Sequence, residues 1–220
     1  MLRFDDRADA GRRLAAELES LRDAAPVVLG LPRGGVPVGF AVAHELGAPF
    51  DVVVVRKLGV PYWPELAMGA IGENGVRVVD AAIMAREGVS EAELESVERR
   101  ERAVLSSYIA RFCRGRERVD VRGRLAVVVD DGMATGLTAR AACQVVQQLG
   151  AARVIMAVPV AAAHTVQHFD AADSLVCLAA PRVFFAVGEY FRDFSPTTDD
   201  EVVRLLDAAG SKHYWHTRSS

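Results

Sequence analysis

Uninterrupted apolar runs limit the possible folds of this chain more than any other feature. Leu125–Val129 consists of five apolar residues in succession, and shorter runs occur at residues 27–29 and 52–55. A strand that leaves one face in water alternates apolar and polar residues, whereas an unbroken run is typical of a strand covered on both faces. Segments with helical spacing separate these runs, so the sequence predicts a mainly parallel twisted sheet with helices on both faces.

Turn and capping signals set the limits of the predicted elements. A glycine often ends a helix, and Ser or Thr three residues before Glu forms a capping box at a helix N-terminus. The predicted helices cover residues 6–23, 36–46, 90–113, 162–169 and 198–208, with a further one ending near residue 149, and the predicted strands cover residues 26–29, 51–55, 125–129, 153–158 and 174–178.

The segment at about residues 58–76 interrupts this alternation. It is rich in proline and glycine, and it carries Tyr62 and Trp63 beside Glu65. Loops of this length are uncommon and often act as lids or binding loops. We predict a small flap or hood here, formed by a long loop that has room for a short hairpin. It belongs to a single domain over residues 1–209, and residues 210–220 are predicted to be a tail.

Composition and charge restrict the class of protein. Hydrophobic residues make up 51% of the 220 residues, charged residues make up 25%, and the net charge is −3. This is a soluble globular composition, and the acidic balance argues against a nucleic-acid partner. No apolar run has the length of a membrane span, so no membrane partner is expected. The three cysteines are odd in number and lack metal-ligand spacing, which favours a reduced, cytoplasmic compartment.

The residues after the strand at 125–129 are the most specific functional signal. Two adjacent carboxylates come first, followed by small and hydroxyl residues and then by a helix. A helix N-terminus binds phosphate through its backbone N–H groups, whereas carboxylates accept hydrogen bonds from sugar hydroxyls and attract magnesium. The order therefore predicts a sugar-phosphate site with the sugar diol at the acids and the phosphate beyond them. The candidate binding residues are Asp130, Asp131, Gly132, Met133, Ala134, Thr135, Gly136, Leu137 and Thr138.

Two other interpretations of this loop are weaker. An Asp-Gly hairpin turn requires alternating strands on both sides, but the downstream residues have helical spacing. A nucleotide-triphosphatase loop requires a Gly-Lys-Ser/Thr sequence, which is absent here.

Residues 127–138 resemble the phosphoribosyl-pyrophosphate motif of the type I phosphoribosyltransferases. Residues 30–35, Gly-Leu-Pro-Arg-Gly-Gly, are similar to that family's pyrophosphate loop, and Arg56-Lys57 is similar to its basic pair after the second strand. The resemblance covers about residues 6–209, and it is closest to members whose acceptor is unassigned. It implies a Rossmann-like α/β fold with a small hood or flap, and a homodimer, which is common in the family.

The resemblance also implies a reaction. A phosphoribosyl group passes from phosphoribosyl pyrophosphate to a nitrogenous base, with Mg²⁺ as cofactor, and pyrophosphate leaves. The two acids would hold the ribose and, directly or through its hydroxyls or water, the metal. Backbone N–H groups and basic side chains would stabilise the charge that grows on the leaving group. The implied catalytic residues are Asp130, Asp131, Arg33 and Lys57, and Gly34, Gly35 and Arg56 join them in substrate binding.

Some positions depart from the family's subtypes. Ala134 lies where the hypoxanthine-guanine type has an acid that contacts the purine, which disfavours a 6-oxopurine acceptor. Residues 56–59 resemble the segment entering the adenine type's mobile loop, which carries a candidate catalytic glutamate. Glu65 and Glu73 are the available acids here, and a solvated loop glutamate is an equal interpretation for each.

The acceptor pocket and a possible metal pair are the least defined features. Aromatic rings stack on planar bases, although most aromatics near a domain's end pack in the core. His164 and His168 have the spacing of a helical metal pair but lack an evident third ligand, so a surface pair is the better interpretation. The aromatic candidates are Tyr62 and Trp63, together with Phe184, Phe185, Tyr190, Phe191 and Phe194, of which we expect one or two to line a pocket.

Two other functions remain open at this point. A sensor that binds phosphoribosyl pyrophosphate or a nucleotide and regulates a partner would bind without turnover. A hydrolase of a phosphorylated sugar or nucleotide would form product with no base present.

Overall fold

Strands and helices alternate through the computed structural model, which describes residues 3–113 and 115–210. The strands are β1 (Val27–Gly30), β2 (Phe50–Val52), β3 (Val55–Val60), β4 (Trp63–Gly72), β5 (Arg77–Val79), β6 (Leu125–Val129), β7 (Arg153–Val160) and β8 (Ser174–Ala179). The helices are α1 (Arg7–Glu17), α2 (Gly35–Leu46), α3 (Ala81–Glu87), α4 (Glu91–Phe112), α5 (Leu137–Gln148), α6 (Ala163–His168) and α7 (Asp199–Gly210).

The main sheet is parallel and is covered on both faces, as predicted. Its strand order is β2-β1-β6-β7-β8, and each neighbouring pair is parallel. Val127 and Val129 of β6 pack in one apolar cluster with residues of α1 and α2, whereas Ala126 and Val128 pack in a second cluster with residues of α5. Successive side chains of a strand point to opposite faces, so the unbroken apolar run supplies both clusters.

The predicted capping signals lie at observed helix ends. Ser90 and Glu93 form both hydrogen bonds of a capping box at α4, and Gly47 follows α2 in the left-handed conformation. At α7, the Glu201 N–H donates to the Thr198 hydroxyl at 3.1 Å. Helix α7 includes Gly210, which the sequence analysis assigned to the tail. The other residues of the predicted tail, 211–220, lie outside the described residues.

The opening helix is shorter than predicted. α1 ends at Glu17, and a 3₁₀ turn covers Glu19–Ala24. Residues three positions apart share a face in both kinds of helix, so the spacing of Leu18 and Leu21 does not distinguish between them.

The long loop predicted at residues 58–76 is wrong, because regular strands occupy most of this segment and extend well beyond a short hairpin. Strands β3, β4 and β5 form a separate antiparallel sheet over this segment. A Cβ on Gly59 would lie 2.4 Å from the Pro64 carbonyl oxygen, and one on Gly69 would lie 2.6 Å from that of Val78. These glycines therefore serve close approach between strands rather than loop flexibility.

The single strand predicted at residues 51–55 is also wrong. β2 ends at Val52, and the chain leaves the main sheet before β3 begins at Val55. The Val54 N–H donates to the Glu73 carboxylate at 2.8 Å instead of to a strand. Arg56 and Lys57 consequently lie within β3 and not in a loop.

A buried carboxylate is the centre of a polar network at this break. Asp51 is 2% exposed and accepts hydrogen bonds from Arg118 Nε at 3.0 Å and from the Val119 N–H at 3.0 Å. The same guanidinium donates to Glu73 at 3.0 Å and to the Val52 carbonyl at 2.7 Å. Arg118 thereby connects the end of β2 to the segment before β5.

Arg118→Met is expected to destabilise the fold by about 3 kcal/mol, because it leaves a buried carboxylate without its cation. For a chain of this length, this corresponds to a fall in Tm of about 6–12 °C in a thermal unfolding experiment. Arg86→Met is the control, since Arg86 pairs with its neighbour Glu87 on the surface and is 63% exposed. Equal Tm values for the two variants would contradict the role of Arg118.

Two of the cysteines pack in the apolar core. Cys143 is buried, and burial raises the pKa of its thiol to about 12. Cys177 is half-buried and packs against the same cluster. In the described part of the chain, no helix combines the length and the apolar character needed to span a membrane.

Candidate functional site

The loops after β1 and β6 meet at the carboxyl edge of the main sheet, where parallel α/β sheets bind ligands. The Leu31 N–H donates to the Val129 carbonyl at 2.9 Å, which joins the two loops. A Cβ on Gly35 would lie 2.5 Å from the same carbonyl oxygen and 2.8 Å from Asp130 Cα. A Cβ on Gly34 would lie 2.0 Å from Asp131 Oδ2. Both glycines therefore allow the first loop to lie directly against the acid pair.

Asp130 and Asp131 form a closely coupled pair of carboxylates. The Asp131 N–H donates to Asp130 Oδ1 at 2.9 Å. Burial raises the pKa of both groups, and the negative charge of Asp131 raises the pKa of Asp130 further. At Asp131 the nearby Arg7 guanidinium opposes the effect of burial on the pKa. The pair concentrates hydrogen-bond acceptors at one point of the sheet edge.

The rest of the loop at residues 132–138 leads into the N-terminus of α5. Met133 anchors it to the end of β7, because its N–H donates to Val160 and its carbonyl accepts from Ala162. The side chains of Met133 and Leu137 are buried, so their predicted ligand contacts are limited to backbone atoms. Gly136 precedes α5 at φ +76°, a left-handed conformation that favours glycine. Thr138 lies in the first turn of α5, as a phosphate site at this helix end requires.

In the loop at residues 30–35, one backbone amide of the predicted pyrophosphate loop is already bonded within the turn. The Gly35 N–H donates to the Leu31 carbonyl at 3.0 Å, so this amide holds the turn and is not directed at a ligand. The peptide between Pro32 and Arg33 is cis. The Arg33 side chain is 44% exposed and lies 3.4 Å from the Asp199 carboxylate. Of the predicted site residues in this loop, Arg33 and Gly34 line the cavity that is described below.

The two basic residues of β3 differ in their relation to the acid pair. Arg56 bonds to the Glu101 carboxylate at 2.9 Å, and its guanidinium lies 5.2 Å from the Tyr108 ring centroid. Lys57 bonds to the Glu65 carboxylate at 3.3 Å. Arg56 and Lys57 both line an adjacent groove, and Arg56 also lines the cavity that contains Asp131, whereas Lys57 does not. Arg56 therefore shares a cavity with Asp131, and the role of Lys57 at the same site stays a prediction.

Arg7 is a site residue that sequence reasoning missed. Its Nε donates to Asp131 Oδ2 at 2.9 Å, and its Nη1 donates to the Ser195 carbonyl at 2.7 Å. Its guanidinium carbon lies 4.0 Å from the centroid of the Phe194 ring. The opening helix shows no site signal in the sequence, because Arg7 is one arginine among several.

These residues enclose a cavity of about 460 Å³, a volume suited to a small ligand. Three guanidinium groups and one carboxylate line it, together with two aromatic rings and a proline-rich segment. Tyr108 and residues 196–197 also escaped the sequence analysis, since a helix face and a polar segment carry no site motif. The lining residues are Arg7, Pro32, Arg33, Gly34, Arg56, Tyr108, Asp131, Phe194, Pro196 and Thr197.

The aromatic candidates separate as expected into core and cavity. Tyr190 and Phe191 are buried against Phe4, whereas Phe194 lines the cavity. Phe185 is exposed, and Phe184 stacks on Tyr190 at a centroid distance of 5.9 Å. The hairpin residues Tyr62 and Trp63 are exposed and are not part of the cavity lining.

The two glutamate candidates have other partners. Glu73 accepts from Val54 and Arg118, which makes it part of the buried network. Glu65 is 88% exposed on its side chain and pairs with Lys57 in the adjacent groove. Neither glutamate lines the cavity beside Asp131.

The described residues do not build a complete metal cage. Within residues 3–113 and 115–210, no cluster of three or more His, Cys, Asp or Glu side chains could hold a metal ion. The His164 and His168 rings stack at a centroid distance of 4.3 Å on α6, and His168 Nδ1 lies 2.8 Å from the His164 carbonyl oxygen. Mg²⁺ takes about six oxygen ligands, so the acid pair fits a magnesium ion whose other ligands come from the donor and from water.

A parallel sheet with paired carboxylates, a glycine-rich turn and a helix N-terminus at its carboxyl edge defines a sugar-phosphate-binding α/β domain. Comparison with known proteins identifies the class more closely. The family model described as "Phosphoribosyl transferase domain" matches residues 3–190. This chain belongs to the phosphoribosyl transferase domain family.

Relatives of high similarity support this assignment. The Mycobacterium tuberculosis protein named "Putative phosphoribosyl transferase Rv0571c" is 55% identical over 207 residues, which cover 94% of this chain and 47% of the relative. The chain thus spans about half the length of the curated relatives it matches. The solved structure of TT1426 from Thermus thermophilus is 45% identical, covers 93% of this chain and 98% of that one, and superposes with a TM-score of 0.77.

Proposed function

We propose that this domain transfers a phosphoribosyl group from phosphoribosyl pyrophosphate to a nitrogenous base, with Mg²⁺, and releases pyrophosphate. The observation that carries the proposal is the juxtaposition of the Asp130–Asp131 pair with the arginine-lined cavity at the carboxyl edge of the sheet. The acids face the ribose, and the guanidinium groups of Arg33 and Arg56 face the leaving pyrophosphate.

Each part of the site has one task in this reaction. Asp130 and Asp131 accept hydrogen bonds from the ribose hydroxyls and fix the sugar ring. The turn at Gly136 and the first turn of α5, including Thr135 and Thr138, bind the 5′-phosphate. The bond from C1 to the pyrophosphate oxygen breaks as the bond from C1 to the base nitrogen forms.

The arginines act on the charge that develops in this step. As the C1–O bond breaks, electrons move onto the pyrophosphate, and Arg33 and Arg56 stabilise that charge from fixed positions. Lys57 joins them only after a change in its present pairing with Glu65. Bound magnesium would supply further charge neutralisation on the pyrophosphate oxygens.

The acceptor is proposed to enter beside Tyr108 and Phe194, the two aromatic rings at the cavity wall. Planar heterocycles stack on such rings. Ala134 lacks the carboxylate that would read a 6-oxopurine, so we propose acceptors other than hypoxanthine and guanine. A homodimer, which the family resemblance implies, remains a prediction.

The function is tested by calorimetry with phosphoribosyl pyrophosphate, with and without Mg²⁺, followed by a panel of bases in which pyrophosphate release is measured. We expect magnesium-dependent binding of the donor, and pyrophosphate release with at least one base. Tight binding without release for any base would indicate a sensor. Product formed at equal rates without a base would indicate a hydrolase.

A further inference from the structure

Arg7 joins three parts of the cavity wall that are distant in sequence. It bonds to Asp131 after β6 and to the Ser195 carbonyl near the C-terminus, and it lies against the Phe194 ring. The side chain of Arg7 is 11% exposed and that of Asp131 is 15% exposed. Exposed ion pairs contribute little, but a pair this shielded, with a second hydrogen bond on the same guanidinium, has a defined geometry.

The stability of α1 does not explain the position of Arg7. Asp6 is the N-cap of α1, and Arg7 is its first residue. The N-terminus of a helix carries the positive end of the helix dipole, where a cation is unfavourable. The Asp131 carboxylate compensates for this position, because it accepts a hydrogen bond from Arg7 at 2.9 Å.

Asp131 is held from two sides. Gly34 lies so close that a Cβ there would be 2.0 Å from Oδ2, and Arg7 donates to the same oxygen at 2.9 Å. A carboxylate has about four acceptor positions, so one hydrogen bond from Arg7 leaves acceptor capacity for a sugar hydroxyl. A group fixed before the ligand arrives loses little conformational entropy when the ligand binds.

We infer that Arg7 is a positioning residue for the donor, which acts by fixing the Asp131 carboxylate in the orientation that receives the ribose hydroxyls. This inference rests on the proposed function. It adds a residue of the opening helix to a site that the sequence motif confines to the loops after β1 and β6. The inference also makes the segment around Ser195 part of the donor site, because the Arg7 guanidinium donates to the Ser195 carbonyl as well as to Asp131.

The test measures phosphoribosyl pyrophosphate binding by calorimetry in the presence of Mg²⁺. Arg7→Met, which removes the charge and the hydrogen bonds at similar length, is expected to raise the Kd at least about tenfold. Arg7→Lys keeps the charge but loses the fork that reaches Asp131 and Ser195 together, so its Kd is expected to lie between those of the wild type and Arg7→Met. Arg12→Met is the matched control, since Arg12 is on the same helix, is 55% exposed and approaches only Asp9, at 3.9 Å.

A double-mutant cycle with Asp131→Asn separates positioning from a general structural effect. If Arg7 acts through Asp131, Arg7→Met changes the Kd by less than about twofold once Asp131 is already asparagine. Thermal unfolding and circular dichroism confirm that each variant is folded. Arg7→Gln replaces Arg7→Met if the latter does not fold, because glutamine retains a donor but not the charge.

The possible results are distinct. Equal losses from Arg7→Met in both backgrounds, or donor binding by Arg7→Met as tight as in the wild type, would overturn the role of Arg7 and leave the proposed function standing. Tighter binding by Arg7→Met would also overturn it, because Arg7 would then compete with the ribose. Failure of the wild type to bind the donor would overturn both proposals.

Discussion

Asp131→Asn is expected to lower the rate of pyrophosphate release by at least about 100-fold at saturating base, the scale of removing one fixed electrostatic contact in an active site. The asparagine amide has similar size, but it replaces an acceptor oxygen with a donor and removes the charge opposite Arg7. The substitution therefore weakens the hold on the ribose when positive charge develops at C1. Donor affinity should fall with the rate.

Asp170→Asn is the matched control for this prediction. Asp170 also pairs with an arginine, Arg140, but it is 80% exposed and is not part of the cavity lining. Both variants should remain folded in a thermal unfolding experiment, because Asp131→Asn also relieves repulsion within the acid pair. Turnover by Asp131→Asn within about threefold of the control would be inconsistent with the proposed ribose contact.

Gly35→Ala is expected to destabilise the protein by about 3 kcal/mol or more, which is the upper range for overpacking. The reason is that the new methyl group meets backbone atoms, which cannot rotate away as a side chain can. The Cβ would lie 2.5 Å from the Val129 carbonyl oxygen and 2.8 Å from Asp130 Cα. Relief requires separation of the loop after β1 from the end of β6. The expected fall in Tm is about 6–12 °C or more, measured by circular dichroism.

Two other glycines define the specificity of this effect. Gly210→Ala is the control, because a Cβ there meets no atom of the described residues within 4 Å. For Gly34→Ala the three nearest atoms all belong to the Asp131 side chain, which can move, so we expect weaker donor binding and a smaller fall in Tm than for Gly35→Ala. A Tm for Gly35→Ala equal to that of Gly210→Ala would show that the two loops are not packed as described.

The local signals predicted most of the architecture correctly. The apolar run at Leu125–Val129 correctly indicated a strand covered on both faces, and the capping box at Ser90 correctly indicated the start of α4. These predictions succeeded because burial on two faces and helix capping depend on residues that are adjacent in sequence. The acids, glycines and threonines at residues 130–138 likewise lie in one short segment, so their order was visible before their geometry.

The predictions failed where contacts between distant segments decide the conformation. Proline and glycine at residues 58–76 indicated a loop, but Gly59 and Gly69 are present because other backbone segments pass within van der Waals distance. Val53 and Val54 continue an apolar run, yet the Glu73 carboxylate receives the Val54 N–H and the strand ends. The residues next to Val54 in the sequence do not indicate such a distant partner, and the β propensity of valine favours continuation of the strand.

What the sequence by itself determined about this protein is therefore the α/β class, the strand that carries the acid pair, and the order of acids, glycines and hydroxyls along one loop. Only the tertiary structure decided that Arg56 and not Lys57 faces the acid pair, that Tyr108 and Phe194 line the cavity, and that Arg7 is the partner of Asp131. The physical reason is the separation along the chain. Hydrogen bonding and burial within a segment leave a periodic or local pattern, whereas a contact such as that between Arg7 and Asp131 joins residues 124 positions apart and depends on the packing of the whole fold.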